Sequence, residues 1–154
     1  VGENKKNAYI MGRITWETFA EDEKCNPHLY TVVTSTTLTS EGVPYLQKVL
    51  PGLDAAIDYV TKSPVGDQIE KVFIMGGGRN YEICIDDPRL KRIWVTRIFG
   101  DFKASVLFPK FDHKFKRVTP LSHILRDCSL YDELHQQSWP EGPDLKIDKT
   151  IWIQ

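Results

Sequence analysis

Three consecutive glycines mark the position where this sequence is best equipped to do chemistry. Gly76, Gly77 and Gly78 follow the apolar run at residues 71–75 and precede a segment with helical spacing at residues 80–85. Glycine has no Cβ, so the backbone can approach a ligand closely. The N–H groups at the start of a helix favour an anion. The pattern predicts a turn that binds a diphosphate; a tight structural turn without a ligand is the alternative.

A second junction of the same kind follows the apolar run at residues 8–11. Gly12 ends that run, Arg13 offers a planar fork suited to phosphate, and Thr15 is expected to cap the next helix. A third group of polar side chains, Thr34, Ser35 and Thr36, lies at the end of a β-branched run. Ligands of open α/β sheets collect where such strands end. The first two turns are therefore predicted to bind phosphate, although Arg13 alone fits a solvated surface charge. The hydroxyls of the third turn either form a plain turn or donate to a further phosphate.

The elements that position these turns alternate along the chain. Strands are predicted at residues 8–11, 30–34, 71–75 and 92–98, and helices after residue 15 and at 53–60 and 80–85. This alternation is typical of parallel βαβ units with helices on both sheet faces. Two late strands, 115–118 and 150–153, are joined by a segment that is turn-rich around 139–144. They predict an antiparallel edge on a mostly parallel sheet.

Length and composition exclude several classes of protein. The chain has 154 residues, which is the size of a single domain, and 41% of them are hydrophobic. A net charge of −1 argues against general affinity for nucleic acid, and no apolar run approaches the ~20 residues that span a bilayer. The cysteines and histidines lack metal-site spacing. We expect reduced thiols at Cys25, Cys84 and Cys128 in a cytoplasmic protein without a metal.

An ordered set of motifs across residues 7–112 resembles the dihydrofolate reductase family. The resemblance implies an α/β dihydrofolate-reductase-like domain over residues 1–154, incomplete at its N-terminus, and a monomer once the missing segment is supplied. It also implies NADPH-dependent reduction of dihydrofolate to tetrahydrofolate by hydride transfer. The motifs, in order, are Gly12-Arg13-x-Thr15-Trp16-Glu17, a strand ending in Ser35, Gly76-Gly77 with Tyr81, Thr96 after an apolar strand, and Phe108-Pro109.

The resemblance assigns the cofactor half of the site to the three turns. Gly76 and Gly77 would flank a cis peptide beside the nicotinamide, and Tyr81 would lie next to that ring. Backbone N–H groups of residues 77–80 would hold the pyrophosphate. Ile14 stands where a basic residue is usual, which weakens the expected selectivity for NADPH. The implied NADPH residues are Gly12, Arg13, Thr15, Ser35, Thr36, Gly76, Gly77, Gly78, Arg79, Asn80 and Tyr81, of which Arg13, Thr15, Ser35 and Thr36 would hold the adenosine half.

The substrate half matches the family less well. Thr96 would contact the pterin side and orient the catalytic acid, and Phe19 would line the pocket for the aminobenzoyl ring. Asn26 replaces a usual leucine, and Leu29 replaces the arginine that clamps the folate glutamate. Both replacements put folate binding in question.

The family's catalytic acid is not found in this chain. It lies upstream of the Gly-Arg turn, where this chain has eleven residues, and Glu3 is too close to the first strand to serve. The family's first strand is internal to its sheet, so a chain without it would leave strand edges unpaired. We therefore expect this chain alone to be inactive or nearly so.

Two other functions remain open from the sequence. One is a reductase of the riboflavin-biosynthesis type, whose substrate has no glutamate tail and would not need an arginine in place of Leu29. The other is a non-catalytic NADPH- or nucleotide-binding module, or a partner of a second chain that completes its sheet. Antifolate binding would separate the first alternative from a folate enzyme, and cofactor binding without turnover would support the second.

Overall fold

The computed structural model describes residues 1–98, 100, 102–118 and 147–154, without the side chains of 147–149. The chain divides into two compact units, Val1–Cys84 and Ile85–Gln154. The segment predicted to be turn-rich around 139–144 lies outside the described residues, as does Cys128. Cys25 is exposed and Cys84 is buried, and neither forms a disulfide among the described residues.

The first unit is built on a four-stranded parallel sheet. Its strands are β1 (Lys6–Gly12), β2 (Leu29–Thr34), β3 (Lys48–Leu50) and β4 (Ile69–Ile74), in the order β3-β2-β1-β4. The two central strands carry the most deeply buried side chains, including those of Ile10 and Val32. Strands buried on both faces read as continuous apolar runs, which is why the sequence predicts β1 and β2 well.

Short helices connect the strands of this unit. They are α1 (Arg13–Thr18), α2 (Glu21–Lys24), α3 (Leu53–Thr61) and α4 (Gly78–Cys84), with a 3₁₀ turn at Gly66–Gln68. The helix α3 buries one face, at positions 53, 56, 57 and 60, as its spacing predicts. Trp16 of α1 packs in a cluster with Met11, Val33 and Leu46.

The expectation that Thr15 caps α1 is wrong. Gly12 is the N-cap and has extended dihedrals, and no side chain caps the helix. The last residue of β1 therefore serves directly as the start of α1, and no loop residue remains to act as a cap. Thr15 lies inside the first turn of the helix instead, where its carbonyl accepts a hydrogen bond from the Thr18 hydroxyl at 2.8 Å.

The second unit contains a three-stranded antiparallel sheet. Its strands are β5 (Arg92–Ile98), β6 (Lys116–Val118) and β7 (Ile147–Ile153), in the order β5-β7-β6. Ile85, Ile93 and Phe115 form the core of this unit. The predicted antiparallel character of the late strands is confirmed. The expectation that strand 92–98 continues the parallel sheet is wrong, because β5 pairs along its whole length with β7.

Each sheet ends in a strand with a single described neighbour. Among the strands that the structure describes, β4 pairs with β1 alone and β5 pairs with β7 alone. In the same described part of the chain, β3 pairs with β2 alone and β6 pairs with β7 alone. In the described part of the chain, no helix has the length and apolar character needed to cross a membrane.

Candidate functional site

The carboxyl ends of β1, β2 and β4 meet at one edge of the parallel sheet. Gly12 lies opposite Thr34 in the register of β1 and β2. The chain after β4 stays attached to β1: the Met75 N–H donates to the Ile10 carbonyl at 2.9 Å, and the Gly12 N–H donates to the Gly76 carbonyl at 2.8 Å. The structure thus brings together the three turns that the sequence singles out.

The glycine turn has a backbone that only glycine adopts easily. The peptide between Gly76 and Gly77 is cis, as the family resemblance implies, and Gly76 has φ = +104°. A Cβ at Gly76 would lie 3.1 Å from the Tyr81 hydroxyl oxygen. Gly76 therefore meets two requirements at once, a left-handed conformation and room for the tyrosine.

Tyr81 presents a protonated phenol at this turn. Burial raises the pKa of the Tyr81 hydroxyl, and the nearby Cys84 thiol raises it further. Both causes disfavour the phenolate. Tyr81 is therefore a neutral, half-buried ring beside Gly76 at neutral pH, and it can donate a hydrogen bond through its hydroxyl.

The Gly12 turn and the glycine turn are in backbone contact. A Cβ at Gly12 would lie 3.6 Å from the Gly77 nitrogen, and a Cβ at Gly77 would lie 3.5 Å from Thr15 Oγ1. The atoms nearest to an added Cβ at Gly12 or Gly77 are backbone atoms, the Asn80 amide nitrogen and the Thr15 hydroxyl oxygen. Such a surface fits a diphosphate, which needs close N–H and O–H donors.

The Asn80 N–H group is engaged within the turn. It donates to the Gly77 carbonyl at 3.0 Å, and the Tyr81 N–H donates to the same oxygen at 3.2 Å. The predicted backbone cradle therefore reduces to Gly77, Gly78 and Arg79. The Asn80 side chain points inward instead, and it is 6% exposed.

The polar residues of the other two turns have partners of their own. Arg13 Nη1 lies 2.6 Å from Glu17 Oε1, and both side chains are about half exposed. Ser35 Oγ accepts hydrogen bonds from the N–H groups of Thr37 and Leu38 at 3.1 and 3.0 Å. Ser35 therefore stabilises a local turn, while Thr36 is exposed.

The predicted substrate residues are not gathered at this edge. Leu29 begins β2 and Asn26 precedes it, so both lie at the amino end of a strand whose carboxyl end is about 17 Å away. Asn26 is exposed, and its Oδ1 accepts a hydrogen bond from the His28 N–H at 2.9 Å. Phe19 is half-buried against the cluster around Trp16.

Thr96, the residue expected to orient a proton donor, belongs to the second unit. Every described carboxyl group whose pKa is shifted has a lowered pKa. Thr96 is exposed on β5, opposite Lys149. Hydrogen bonds lower the pKa of Glu70, Asp86 and Asp87 through Gly2, Lys114 and Arg89 respectively. A buried proton donor needs a shift in the opposite direction.

Sequence reasoning placed Thr34 at this edge but missed its hydrogen bond to the Asn80 side chain. Its Oγ1 accepts a hydrogen bond from Asn80 Nδ2 at 3.1 Å, and the same Nδ2 donates to the Gly76 carbonyl at 2.9 Å. The available signal was a threonine closing an apolar strand together with an asparagine in the first turn of a short helix. Such residues usually form turns, so the signal was weak.

Comparison with known proteins gives one consistent family. A family model described as dihydrofolate reductase matches residues 3–132. The chain is 30% identical over 120 residues to a Drosophila melanogaster dihydrofolate reductase, covering 78% of this chain and 64% of that protein. It is 36% identical over 115 residues to a Schistosoma mansoni dihydrofolate reductase, covering 73% of this chain and 61% of that one. The chain thus spans less than two thirds of the length of these two relatives.

A chicken relative and a solved structure extend the match. The Gallus gallus dihydrofolate reductase is 30% identical over 145 residues, which are 88% of this chain and 75% of that protein. A solved structure of Schistosoma mansoni dihydrofolate reductase superposes with a TM-score of 0.74 at 29% identity. This superposition covers 97% of this chain and 75% of that chain.

Proposed function

The chain belongs to the dihydrofolate reductase family, and from this membership we propose that the protein reduces dihydrofolate to tetrahydrofolate with NADPH. The structural observation that carries the proposal is the joined pair of glycine turns at Gly12 and Gly76–Gly77. Backbone without side chains lies there at the carboxyl edge of a parallel sheet, where ligands of such sheets bind.

The residues of this edge fit the parts of NADPH in order. The turn at residues 76–78 would receive the nicotinamide side and the diphosphate, with the neutral Tyr81 ring packed at Gly76. The hydroxyl groups of Thr15, Ser35 and Thr36 would donate hydrogen bonds to the adenosine half. NADPH, when bound, supplies the hydride. The residues of the chain hold it, orient the nicotinamide and exclude water from one of its faces.

The 2′-phosphate of NADPH would be bound chiefly by Arg13. Its partner Glu17 forms an exposed ion pair, and such pairs contribute about 0–1 kcal/mol, so a phosphate can compete for the guanidinium. Ile14 is 69% exposed and adds no charge. We therefore propose a modest preference for NADPH over NADH, because Arg13 would bind the 2′-phosphate without a second basic residue at position 14.

The substrate assignments rest on the family alone. Phe19 would pack on the aminobenzoyl ring, Leu29 and Asn26 would border the tail of the substrate, and Thr96 would orient a proton donor. That this chain alone turns over slowly or not at all stays a prediction. The family match favours neither the riboflavin-type reductase nor the non-catalytic module. Cytoplasmic location and a monomeric state stay predictions.

The test uses the purified chain with NADPH and dihydrofolate. We expect saturable NADPH binding, seen as enhanced nicotinamide fluorescence, together with antifolate binding and little or no dihydrofolate-dependent loss of absorbance at 340 nm. Rapid turnover would support the reductase and disprove the inactivity of this chain. If neither NADPH nor an antifolate binds, the proposed function is wrong.

A further inference from the structure

The Asn80 side chain is the most deeply buried polar side chain at the candidate site, and the proposed function does not use it. It is 6% exposed. Its Nδ2 donates to the Gly76 carbonyl at 2.9 Å and to Thr34 Oγ1 at 3.1 Å. A primary amide has two N–H donors, so these two bonds use both of them.

Thr34 extends this network to the first strand. Its hydroxyl has two acceptors within reach, the Met11 carbonyl at 3.4 Å and Asn80 Oδ1 at 3.3 Å, and donates to one of them at a time. Met11 is next to Gly12, whose N–H donates to the Gly76 carbonyl at 2.8 Å. The Gly76 carbonyl thus accepts one bond from the end of β1 and one from Asn80. A single side chain on α4 thereby connects the ends of β1 and β2 with the glycine turn that follows β4.

A buried amide is costly unless its hydrogen bonds are formed. Leucine, which has nearly the same size and shape, could fill this position without the cost of desolvating a polar group. Leucine would also leave the direction of the Gly76 carbonyl to a single bond. The Asn80 amide therefore stabilises the fold only when all three turns have the observed arrangement.

We propose that Asn80, together with Thr34, is a positioning residue that fixes the Gly76 carbonyl and with it the turn that receives the nicotinamide side of NADPH. This inference rests on the proposed function for its ligand. It distinguishes two halves of the cofactor site, because Arg13 and Thr36 of the adenosine half have no bond to the Asn80 side chain among the described contacts.

The test compares two ligands on the full chain. The variants are Asn80→Leu and Thr34→Val, and the ligands are NADPH and adenosine 2′,5′-bisphosphate, measured by fluorescence and calorimetry. We expect Asn80→Leu to raise the Kd for NADPH about tenfold, the effect of losing one well-formed hydrogen bond to a buried acceptor. Thr34→Val should raise it about threefold, and the Kd for the bisphosphate should change less than twofold in both variants.

Thr31→Val is the matched control. Thr31 is 2% exposed and lies on β2 three residues before Thr34, about 10 Å along the strand. Loss of its hydroxyl should leave the affinity for both ligands unchanged. An unchanged NADPH affinity in Asn80→Leu overturns the inference, as does an equal loss of both ligands. If Asn80→Leu does not fold, the comparison of Thr34→Val with Thr31→Val decides in the same way.

A second readout does not depend on the cofactor. Amide hydrogen exchange of the Gly12 N–H reports directly on its bond to the Gly76 carbonyl. We expect this exchange to be about tenfold faster in Asn80→Leu and faster in Thr34→Val, but not in Thr31→Val. If the parent chain does not bind NADPH, the proposed function fails while this measurement still judges the positioning role. Equal exchange in all four proteins would refute that role.

Discussion

Gly76 has a left-handed backbone conformation and lies close to the Tyr81 side chain. Substitution by alanine should cost about 1–2 kcal/mol for the positive φ and about 1 kcal/mol more for the contact with the hydroxyl at 3.1 Å. Urea unfolding measures the total, and NADPH binding should be lost with it. Gly42→Ala is the matched control: Gly42 has φ = +73° and no atom within 4 Å of an added Cβ. Equal costs at both glycines would show that the Tyr81 contact is unimportant.

Tyr81 makes stability depend on alkaline pH. Because burial raises the pKa of Tyr81, the fold favours the neutral phenol. This contribution is fully present below the ordinary phenol pKa of about 10 and is lost as the pH rises through the higher value in the fold. Titration of absorbance at 295 nm should show a phenol that ionises above pH 10 and disappears in Tyr81→Phe. The same transition should persist in Tyr45→Phe, which removes an exposed phenol. If the phenol that is lost in Tyr81→Phe ionises below pH 10, the assignment is wrong.

Sequence reasoning identified the glycines of the site but not its buried amide. A glycine at a strand-to-helix junction is informative because few other residues tolerate the backbone found there. The inward direction of the Asn80 side chain depends on where α4 begins. The helix begins at Gly78, whereas the sequence predicted a start at residue 80. The ion pair of Arg13 with Glu17 was likewise hidden, although the two residues are spaced four apart on one helix.

Among the elements, β1 carries the centre of the parallel sheet. Ile10→Ala should lower the free energy of unfolding by about 2–5 kcal/mol, because the Ile10 side chain is fully buried and its removal leaves a cavity. Ile14→Ala makes the same chemical change at a site that is 69% exposed and should cost less than about 0.5 kcal/mol. Urea unfolding of both variants tests the difference, and similar losses would mean that β1 is not central to the core.

The strongly periodic elements were predictable and the short ones were not. The helix α3 presents apolar residues at 53, 56, 57 and 60, and β2 is a β-branched run, so each has a local signal. The strand β3 and the helix α2 have three and four residues, too few for a period to show. The partner of β5 could not be read locally either, because pairing with β7 depends on residues far along the chain.

At the scale of the whole molecule, edge strands such as β4 and β5, each with one strand partner among the described residues, predict self-association. Exposed strand edges pair with further strands, and a charge placed on an edge opposes this. Ile98→Lys introduces a lysine on β5 at a side chain that is 48% exposed, and it should reduce the oligomers seen by light scattering at high concentration. Ile14→Lys, which lies in α1 and not in a strand, should not. An equal effect of both substitutions would point to net charge rather than to the edge.

The division into Val1–Cys84 and Ile85–Gln154 also has a consequence for synthesis on the ribosome. All four strands of the parallel sheet have been made once residue 74 is translated, whereas Arg92 of β5 waits for its partner Ile153. At about 5–20 residues per second, the interval between Ile98 and Ile153 is roughly 3–11 s. During this time the parallel sheet can already fold, while β5 has been made but its partner β7 has not. This is the stage at which chaperones would have most to protect.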